Sequence, residues 1–259
     1  VPSSQKMPFN AAVLGASGNV GRAVVSSLLS ASDVQRIVLL GRKELPEFAK
    51  EPRIVQHVVE MSPEALEKNT APLAGIDAIF VTLGVGQPRK ATEEELERVD
   101  VLLPSAFAKA AQTAGVRHAS LLTAVGADIT AQKSWITGTA AGGGLYMHCK
   151  GQVEENFKSL AFHSVACFRP STLVGNTNTP GFFNYLAPKL DCVTKPKYRS
   201  IHINDLGAAM VQAARDGLQS QTPVQTTLEG ENLFQLVEKA RQAASGAAAA
   251  GGGGDGTSI

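Results

Sequence analysis

One short segment restricts the possible folds of this 259-residue chain more than any other. Residues 11–22 read AAVLGASGNVGR, an apolar run followed by glycines at positions 15, 18 and 21. Gly15 suits a sharp turn after a buried strand, Gly18 allows a ligand to approach the backbone, and Gly21 lets a helix pack tightly on the strand. The free N–H groups at the start of that helix suit a pyrophosphate. The segment predicts a strand–turn–helix unit that binds phosphate; a plain strand–helix connection is the alternative.

From residue 8 onward, strand-like and helix-like segments alternate along the chain. The predicted strands are short apolar runs at 11–14, 36–40, 54–59, 78–82, 119–123 and 164–168. The predicted helices are 20–29, 64–69, 93–114 and 146–160. Such alternation indicates an α/β fold with a parallel sheet covered on both faces. We expect a Rossmann-like doubly wound sheet over residues 8–240, with residues 170–230 forming a wall for a substrate or a partner.

The composition narrows the class of protein further. A hydrophobic content of 44% with only 5% aromatic residues fits an aliphatic core, and the chain is long enough to bury one. A net charge of +1 and 18% charged residues give no sign of a nucleic-acid partner or a basic membrane-binding surface. No apolar run approaches the roughly 18–20 residues of a membrane-spanning helix. We therefore expect a soluble protein that is not transmembrane.

The cysteines and histidines favour a reducing compartment and no metal site. Three cysteines, an odd number without a C-x-x-C pair, predict free thiols, and the five histidines lack the spacing of metal ligands. The chain begins at Val1 rather than Met, which fits a removed targeting peptide or a trimmed start. This start favours an organelle matrix, such as that of the mitochondrion, over the cytosol.

Two stretches rich in glycine and alanine interrupt the pattern. Residues 137–144 read TGTAAGGG and predict a mobile loop before the helix that starts at 146. Residues 246–259 form a low-complexity tail that cannot bury a core, so a disordered end is predicted.

The end of the second predicted strand indicates which dinucleotide fits. Enzymes that prefer NAD place an Asp or Glu near this point to bind the ribose 2′-hydroxyl. Here the strand runs into Gly41, Arg42 and Lys43, so two cations stand where a 2′-phosphate would lie. The pattern favours NADPH over NADH; two ordinary solvated surface cations are the alternative.

Three side chains around the fifth predicted strand suit proton transfer. Tyr146 and Lys150 are four residues apart and share one face of a helix. A nearby ammonium lowers the phenol pKa from about 10, so the phenol can exchange a proton with a carbonyl oxygen near neutral pH. Thr123 closes the strand and could hold the substrate oxygen; a strand residue with a satisfied hydroxyl is the alternative.

The order of these motifs resembles the short-chain dehydrogenase/reductase superfamily, in its atypical NAD(P)-binding branch. The closest likeness is to the Tat-interacting oxidoreductase-like proteins, which include mitochondrial members in fungi. The motifs that carry the resemblance are GASGNVGR at 15–22, GRK at 41–43, TLG at 82–84, RVD at 98–100, LLTAVGAD at 121–128, YMHCKGQVE at 146–154 and FRP at 168–170.

The resemblance implies a role for each matching residue. The 15–21 loop would hold the pyrophosphate, Arg42 the 2′-phosphate and Lys150 the nicotinamide ribose, with Tyr146 as proton donor. The implied catalytic residues are Tyr146, Lys150 and Thr123. The implied NADP(H)-binding residues are Gly15, Ala16, Ser17, Gly18, Asn19, Val20, Gly21, Arg42, Lys43, Leu83, Gly84, Tyr146, Lys150 and Pro170. Past residue 170 the predicted substrate wall includes Phe182, Phe183 and Tyr185, His202 is predicted to be structural, and Asn204 or Asp205 is expected to cap a helix.

Two departures from the family pattern leave two hypotheses open. The family commonly has a Ser-Ser pair where this chain has Thr123 and Ala124, and the stretch 129–144 looks like an insert. The first hypothesis is a reductase that transfers hydride from NADPH to a small carbonyl substrate. The second is a catalytically quiet NADP(H)-binding accessory subunit or assembly factor of a larger complex, such as one in the mitochondrion.

Overall fold

A computed structural model describes residues 7–132, 143–175 and 194–251. The strands are β1 Phe9–Leu14, β2 Val34–Gly41, β3 Ile54–Val58, β4 Ala78–Val81, β5 His118–Leu122, β6 Ser164–Phe168, β7 Leu173–Val174, β8 Ile201–His202 and β9 Val224–Leu228. The α-helices are α1 Asn19–Leu29, α2 Pro63–Lys68, α3 Glu93–Glu97, α4 Leu103–Thr113, α5 Gly143–Ser159, α6 Ile203–Gln219 and α7 Glu231–Gly251. A π-helical turn, Arg98–Leu102, joins α3 to α4.

The strands form a parallel sheet in the order β3-β2-β1-β4-β5-β6-β9, and the pair β7-β8 lies apart from it. This arrangement confirms the predicted Rossmann-like α/β fold. The direction of strand order reverses between β1 and β4. In such sheets ligands bind in the crevice outside the carboxyl ends of the strands at this reversal. The glycine turn follows β1 directly, so it lies at that crevice.

The central strands are apolar because helices cover both of their faces. In β4, all four residues are fully buried. On one face of the sheet, α1 and α6 pack against each other, α1 over β1 and β2 and α6 over β4, β5 and β6. On the other face, α4 and α5 enclose a second core that includes Phe107 and Phe157. The sheet therefore gives the carboxyl ends of β1, β2 and β4 a rigid base.

Several predicted boundaries differ from the structure for local reasons. The expected cap at Asn204 or Asp205 is wrong: α6 begins at Ile203, and the His202 ring nitrogen Nδ1 accepts the N–H of Asn204 at 3.2 Å. The predicted disordered tail is also wrong for residues 246–251, which continue α7 as a helix. Alanine is the strongest helix former, so this stretch extends a helix already anchored by packing.

Three predictions from the sequence concern residues that lie partly or wholly outside the described ranges. Gly143 and Gly144 of the predicted loop belong to α5 and are buried. The rest of that loop lies mostly outside the described ranges, as do the predicted wall residues and the end of the tail. The residues outside are 137–142, Phe182, Phe183, Tyr185 and 252–259.

A buried histidine at the amino end of β5 should make stability pH-dependent. His118 is 1% exposed and hydrogen-bonds Ser164 Oγ at 2.7 Å and Ser120 Oγ at 2.8 Å. Burial lowers the pKa of His118 from 6.5 to about 3. Between these values the unfolded chain binds a proton that the folded chain excludes, so stability falls as the pH falls.

We expect this histidine to cost about 1.4 kcal/mol of unfolding free energy for each pH unit below its unfolded pKa of about 6.5. Urea unfolding of the wild-type protein and His118→Gln from about pH 7 to about pH 4 measures the effect. The variant should be less stable near neutral pH but should lose stability less steeply on acidification. Parallel pH profiles for the two proteins would contradict the prediction.

Candidate functional site

The turn after β1 requires glycine at two positions. Gly15 has a φ of +98°, and a Cβ there would lie 2.8 Å from the backbone of Thr82 and Leu83. A Cβ on Gly21 would lie 2.1 Å from the carbonyl oxygen of Gly15. Both contacts are with backbone atoms, so a side chain would force the strand and the helix apart. The turn therefore has the close strand–helix approach that the sequence predicted.

The first turn of α1 presents its N–H groups to the crevice. Gly18 is the N-cap residue and donates its own N–H to the Gly15 carbonyl at 3.0 Å. In the described part of the chain no side chain caps this turn, and its residues include no acid. Ser17 and Gly18 are exposed. Open N–H groups at a helix start suit a phosphate group.

A cavity of about 560 Å³ opens beside this turn. It extends across the carboxyl ends of β1, β2 and β4, where the strand order reverses. Seven residues predicted from the sequence line it: Gly15, Ala16, Ser17, Arg42, Lys43, Leu83 and Gly84. The structure therefore brings together the glycine turn and the two cations predicted at the end of the second strand.

The two cations after β2 are free to meet a ligand. Arg42 and Lys43 are exposed, and neither makes a hydrogen bond or ion pair to any residue that the structure describes. They line the same cavity as the glycine turn. Close backbone approach, the N–H groups at a helix start and two exposed cations together fit a ligand that carries phosphate.

The remaining residues predicted to bind the dinucleotide lie around the glycine turn or after β6. Ala16, Val20 and Gly21 are buried behind the turn, and Val20 belongs to the core between α1 and the sheet. Asn19 is the first residue of α1. Pro170 is buried after β6, and its carbonyl accepts the N–H of Val125 at 3.0 Å.

Tyr146 and Lys150 lie on α5, as predicted, with Lys150 Nζ 5.6 Å from the centre of the Tyr146 ring. The described lining of the cavity does not include them. Gly84 provides the connection, because a Cβ on this lining residue would lie 3.9 Å from Lys150 Nζ. The tyrosine and the lysine therefore stand next to the end of the cavity formed by the β4 loop.

Asp100 is a member of this site to which the sequence assigned no role. Its Oδ1 lies 2.7 Å from Lys150 Nζ, and its Oδ2 accepts the N–H of Val85 at 3.1 Å. The side chains of Lys150 and Asp100 are 5% and 1% exposed, so the ion pair is buried. Asp100 lies in the π-helical turn, a form of helix often found at functional sites. An acid inside an otherwise apolar helical stretch was the signal that could have identified it.

The electrostatics of this group differ from the prediction. Burial raises the pKa of Tyr146 above its ordinary value; Lys150 opposes the rise and Asp100 adds to it. The predicted lowering by Lys150 is present, but the expected net lowering is wrong because burial and Asp100 outweigh it. Burial by itself would lower the pKa of Lys150, yet Asp100 and Tyr146 raise it above its ordinary value. Lys150 is therefore charged and Tyr146 protonated at neutral pH.

The Thr123 hydroxyl is satisfied within the protein, which is the alternative to a role in holding the substrate. It is 4% exposed, and its hydroxyl lies 2.7 Å from Glu154 Oε1 and 3.0 Å from the Phe168 carbonyl oxygen. Glu154 is fully buried on α5 and also receives two hydrogen bonds from the Arg169 guanidinium, at 2.6 and 2.9 Å. The hydroxyl predicted to hold a substrate therefore joins β5 to α5 through a buried carboxylate.

Comparison with known proteins agrees with this geometry. A family model described as NAD(P)H-binding matches residues 15–216. The mitochondrial protein FMP52 of Lodderomyces elongisporus is 29% identical over 244 residues, which cover 87% of this chain and 95% of that protein. The protein HTATIP2 of Rattus norvegicus is 30% identical over 164 residues, covering 62% of each chain. These likenesses confirm the resemblance predicted from the motifs.

Solved structures share the fold at low sequence identity. The oxidoreductase ylbE of Lactococcus lactis superposes with a TM-score of 0.62 at 16% identity, covering 90% of this chain and 97% of that one. MoeE5 in complex with UDP-glucose and NAD has a TM-score of 0.59 at 15% identity, covering 90% and 81%. At this identity the likeness shows the fold alone.

The described residues contain neither a membrane-spanning helix nor a metal site. None of the helices in this part of the chain is both long and apolar enough to cross a membrane. No cluster of His, Cys, Asp and Glu within the same residues could hold a metal ion. Cys149 and Cys167 are buried, and burial raises the pKa of Cys167 to about 12, which keeps this thiol protonated at neutral pH.

Proposed function

Because this chain belongs to the NAD(P)H-binding family, we propose that it binds NADP(H) and reduces a small carbonyl substrate. One observation carries the choice of cofactor: Arg42 and Lys43 line the cavity of the glycine turn and make no hydrogen bond or ion pair with the described residues. A guanidinium forms paired hydrogen bonds to a phosphate, and an ammonium adds a point charge. These groups favour a ribose that carries a 2′-phosphate.

In this proposal, different residues of the crevice bind different parts of the dinucleotide. The N–H groups of the 15–21 loop hold the pyrophosphate, Leu83 and Gly84 contact the adenosine ribose, and Lys150 binds the nicotinamide ribose. NADPH bound here would supply the hydride for the carbonyl carbon. Gly84 has no side chain, and a Cβ there would lie 3.3 Å from Asp100 Oδ1 and 3.9 Å from Lys150 Nζ, so the buried pair lies directly behind the lining of the cavity.

In the proposed reaction Tyr146 gives its phenolic proton to the substrate oxygen as hydride adds to the carbonyl carbon. The products are an alcohol, the oxidised dinucleotide and a phenolate, which takes a proton from solvent. The Lys150 ammonium stabilises the phenolate by its charge, and Asp100 holds that ammonium in place. Because Thr123 is engaged by Glu154, orientation of the substrate falls to Tyr146.

Specific observations also support a second candidate, an accessory NADP(H)-binding subunit. The Thr123 hydroxyl is occupied, Ala124 has none, and Tyr146 has a raised pKa. Each feature weakens the case for turnover without affecting nucleotide binding. The relatives named as mitochondrial support the same compartment for this chain under either candidate.

The cofactor proposal is tested by reversing the charge of one side chain. We expect Arg42→Asp to weaken NADPH binding at least tenfold, since it removes one charged hydrogen-bond donor and adds repulsion of the 2′-phosphate. NADH binding should change by less than about twofold, because NADH has no phosphate at that position. Titration of both proteins with each cofactor by calorimetry gives the four dissociation constants.

Arg241→Asp is a control for the charge change, because Arg241 is an exposed arginine of α7 outside the described lining of the cavity, where it pairs with Asp205 and Glu238. It should leave both dissociation constants unchanged. An equal loss for NADPH and NADH in Arg42→Asp would mean that this arginine does not read the 2′-phosphate. Failure of the wild-type protein to bind either cofactor would overturn both candidates.

A further inference from the structure

The short segment that carries the two cations is tied to the neighbouring strand by one side chain. Gln56 of β3 accepts the N–H of Leu45 through Oε1 at 2.8 Å and donates Nε2 to the Leu45 carbonyl at 3.0 Å. Its amide therefore pairs with both backbone groups of one residue, as a neighbouring strand would. Only residues 42–44 separate this clamp from the end of β2 at Gly41.

A second tie lies on the other side of the same segment. Arg22 of α1 donates to Glu47 Oε1 through Nε at 3.0 Å and Nη2 at 2.7 Å, and it also donates to the Ser17 carbonyl. Arg22 thus joins the glycine turn to the residues after Leu45. This second tie is exposed, with side-chain exposures of 49% for Arg22 and 40% for Glu47, so water weakens it.

Leu45, the residue that Gln56 holds, is anchored in the protein core. It is 6% exposed and belongs to the core under α1, and Phe48 packs against the same cluster. Arg42, Lys43 and Glu44, just before it, are exposed. The cations therefore stand on a three-residue bridge whose two ends are fixed.

We propose that Gln56 is a specificity-determining positioning residue. It fixes the 42–44 bridge before the ligand binds, so that Arg42 and Lys43 need not be ordered when they meet a 2′-phosphate. The inference rests on the proposed preference for NADP(H). Binding to an already ordered site avoids the entropic cost of fixing long side chains and a loop. Loss of the clamp should therefore weaken binding of the phosphate-bearing cofactor selectively.

The position of Gln56 separates this role from general support of the fold. It lies on β3, at the edge of the sheet, and is only half-buried. Both hydrogen bonds of the Gln56 side-chain amide are made to the segment after β2 rather than to another strand of the sheet. An edge position of this kind tolerates substitution better than a central strand, so its removal should affect mainly what it holds.

The experiment compares Gln56→Met with Gln225→Met. Both replace a glutamine on an edge strand with an apolar side chain of similar length, and Gln225 also donates to a backbone carbonyl, that of Lys158. We expect Gln56→Met to raise the dissociation constant for NADPH about tenfold, because binding must then order the 42–44 bridge that the two lost hydrogen bonds had fixed, with less than about a twofold change for NADH. Gln225→Met should change neither constant.

The possible results separate the role of Gln56 from the preference for NADP(H) on which it rests. If the wild-type protein binds the two cofactors equally, the NADP(H) proposal fails and the role of Gln56 fails with it. If the wild-type protein prefers NADPH and Gln56→Met keeps that preference, only the role of Gln56 is overturned. A parallel loss for both cofactors also overturns it. Gln56→Asn, whose shorter amide cannot make both bonds, repeats the test if circular dichroism shows that Gln56→Met is unfolded.

Discussion

Replacing Tyr146 with phenylalanine should lower kcat/KM for NADPH-dependent carbonyl reduction by about 10²–10⁴-fold, the usual contribution of a positioned general acid. The change removes the phenolic proton but keeps the ring that packs near Lys150 Nζ at 5.6 Å. We therefore expect the dissociation constant for NADPH to change by less than about threefold. Steady-state oxidation of NADPH against a panel of small aldehydes and ketones measures the rate, and calorimetry measures binding.

The raised pKa of Tyr146 also predicts a pH profile. The phenol must be protonated to act as an acid, and burial moves its ionisation above the ordinary value of about 10. Reduction should therefore hold its rate from neutral pH into the alkaline range and fall only as the phenol ionises. A lowered phenol pKa would instead make reduction decline near neutral pH.

Tyr198→Phe provides the control for this substitution, since Tyr198 is 44% exposed and lies outside the described lining of the cavity. It should keep wild-type kinetics. Full activity in Tyr146→Phe would show that another group supplies the proton. Tight NADPH binding with no turnover by the wild-type protein would favour the accessory subunit.

The nucleotide half of the site could be predicted from the sequence because its residues act through the backbone and through local order. Gly15 and Gly21 are required by contacts within one strand–turn–helix unit, and the spacing of that unit is visible in the chain. Arg42 and Lys43 follow the next strand directly, so the parallel sheet brings them to the same edge. Local patterns of this kind identify a fold and its phosphate site together.

The catalytic half depends on contacts that no local pattern shows. Lys150 and Asp100 are 50 positions apart, and their pairing needs α5 to pack against the π-helical turn. Thr123 looked available at the end of its strand, but its hydroxyl is taken by Glu154 from α5. The pKa of Tyr146 depends on this packing as well, so its net direction could not be read from the spacing to Lys150.

The last strand and helix were missed for a different reason. In β9, Gln225, Thr226 and Thr227 are polar, and the strand lies at the edge of the sheet, where one side of the backbone meets solvent. A sequence of this type has neither the continuous apolar run of a central strand nor strict alternation. The signal for α7 was present in the buried Leu233 and Val237, which are four residues apart, but it is short, and the alanines that follow carry no hydrophobic periodicity although each favours a helix.

Asp100→Asn should lower the free energy of unfolding by about 3–5 kcal/mol, the cost of leaving one member of a buried ion pair without its partner. The two side chains are 5% and 1% exposed, so water cannot replace the lost carboxylate. Asparagine keeps an oxygen that can accept the Val85 N–H, which limits the change to the charge. Urea unfolding followed by circular dichroism gives the difference in stability.

The pH dependence of the free energy of unfolding tests whether the buried Lys150 ammonium causes the instability of Asp100→Asn. In the wild-type protein the pKa of Lys150 is raised, so the pair stabilises fully below the unfolded value of about 10.4 and is lost as the pH rises through the folded value. In Asp100→Asn, burial without a counter-ion should push the pKa of Lys150 below the unfolded value. The variant should then gain stability as the pH rises towards 10.4, where the wild-type protein gains none from this pair.

A double variant separates charge from packing. Asp100→Asn combined with Lys150→Met removes both charges and keeps an unbranched chain in the buried space, so it should recover most of the lost stability. Equal stability of Asp100→Asn and the wild-type protein would mean that the lysine is solvated in solution. Continued instability of the double variant, without pH dependence, would mean that Asp100 acts through the π-helical turn rather than through Lys150. Recovery would instead show that the carboxylate keeps a charged lysine beside Tyr146 in a buried site.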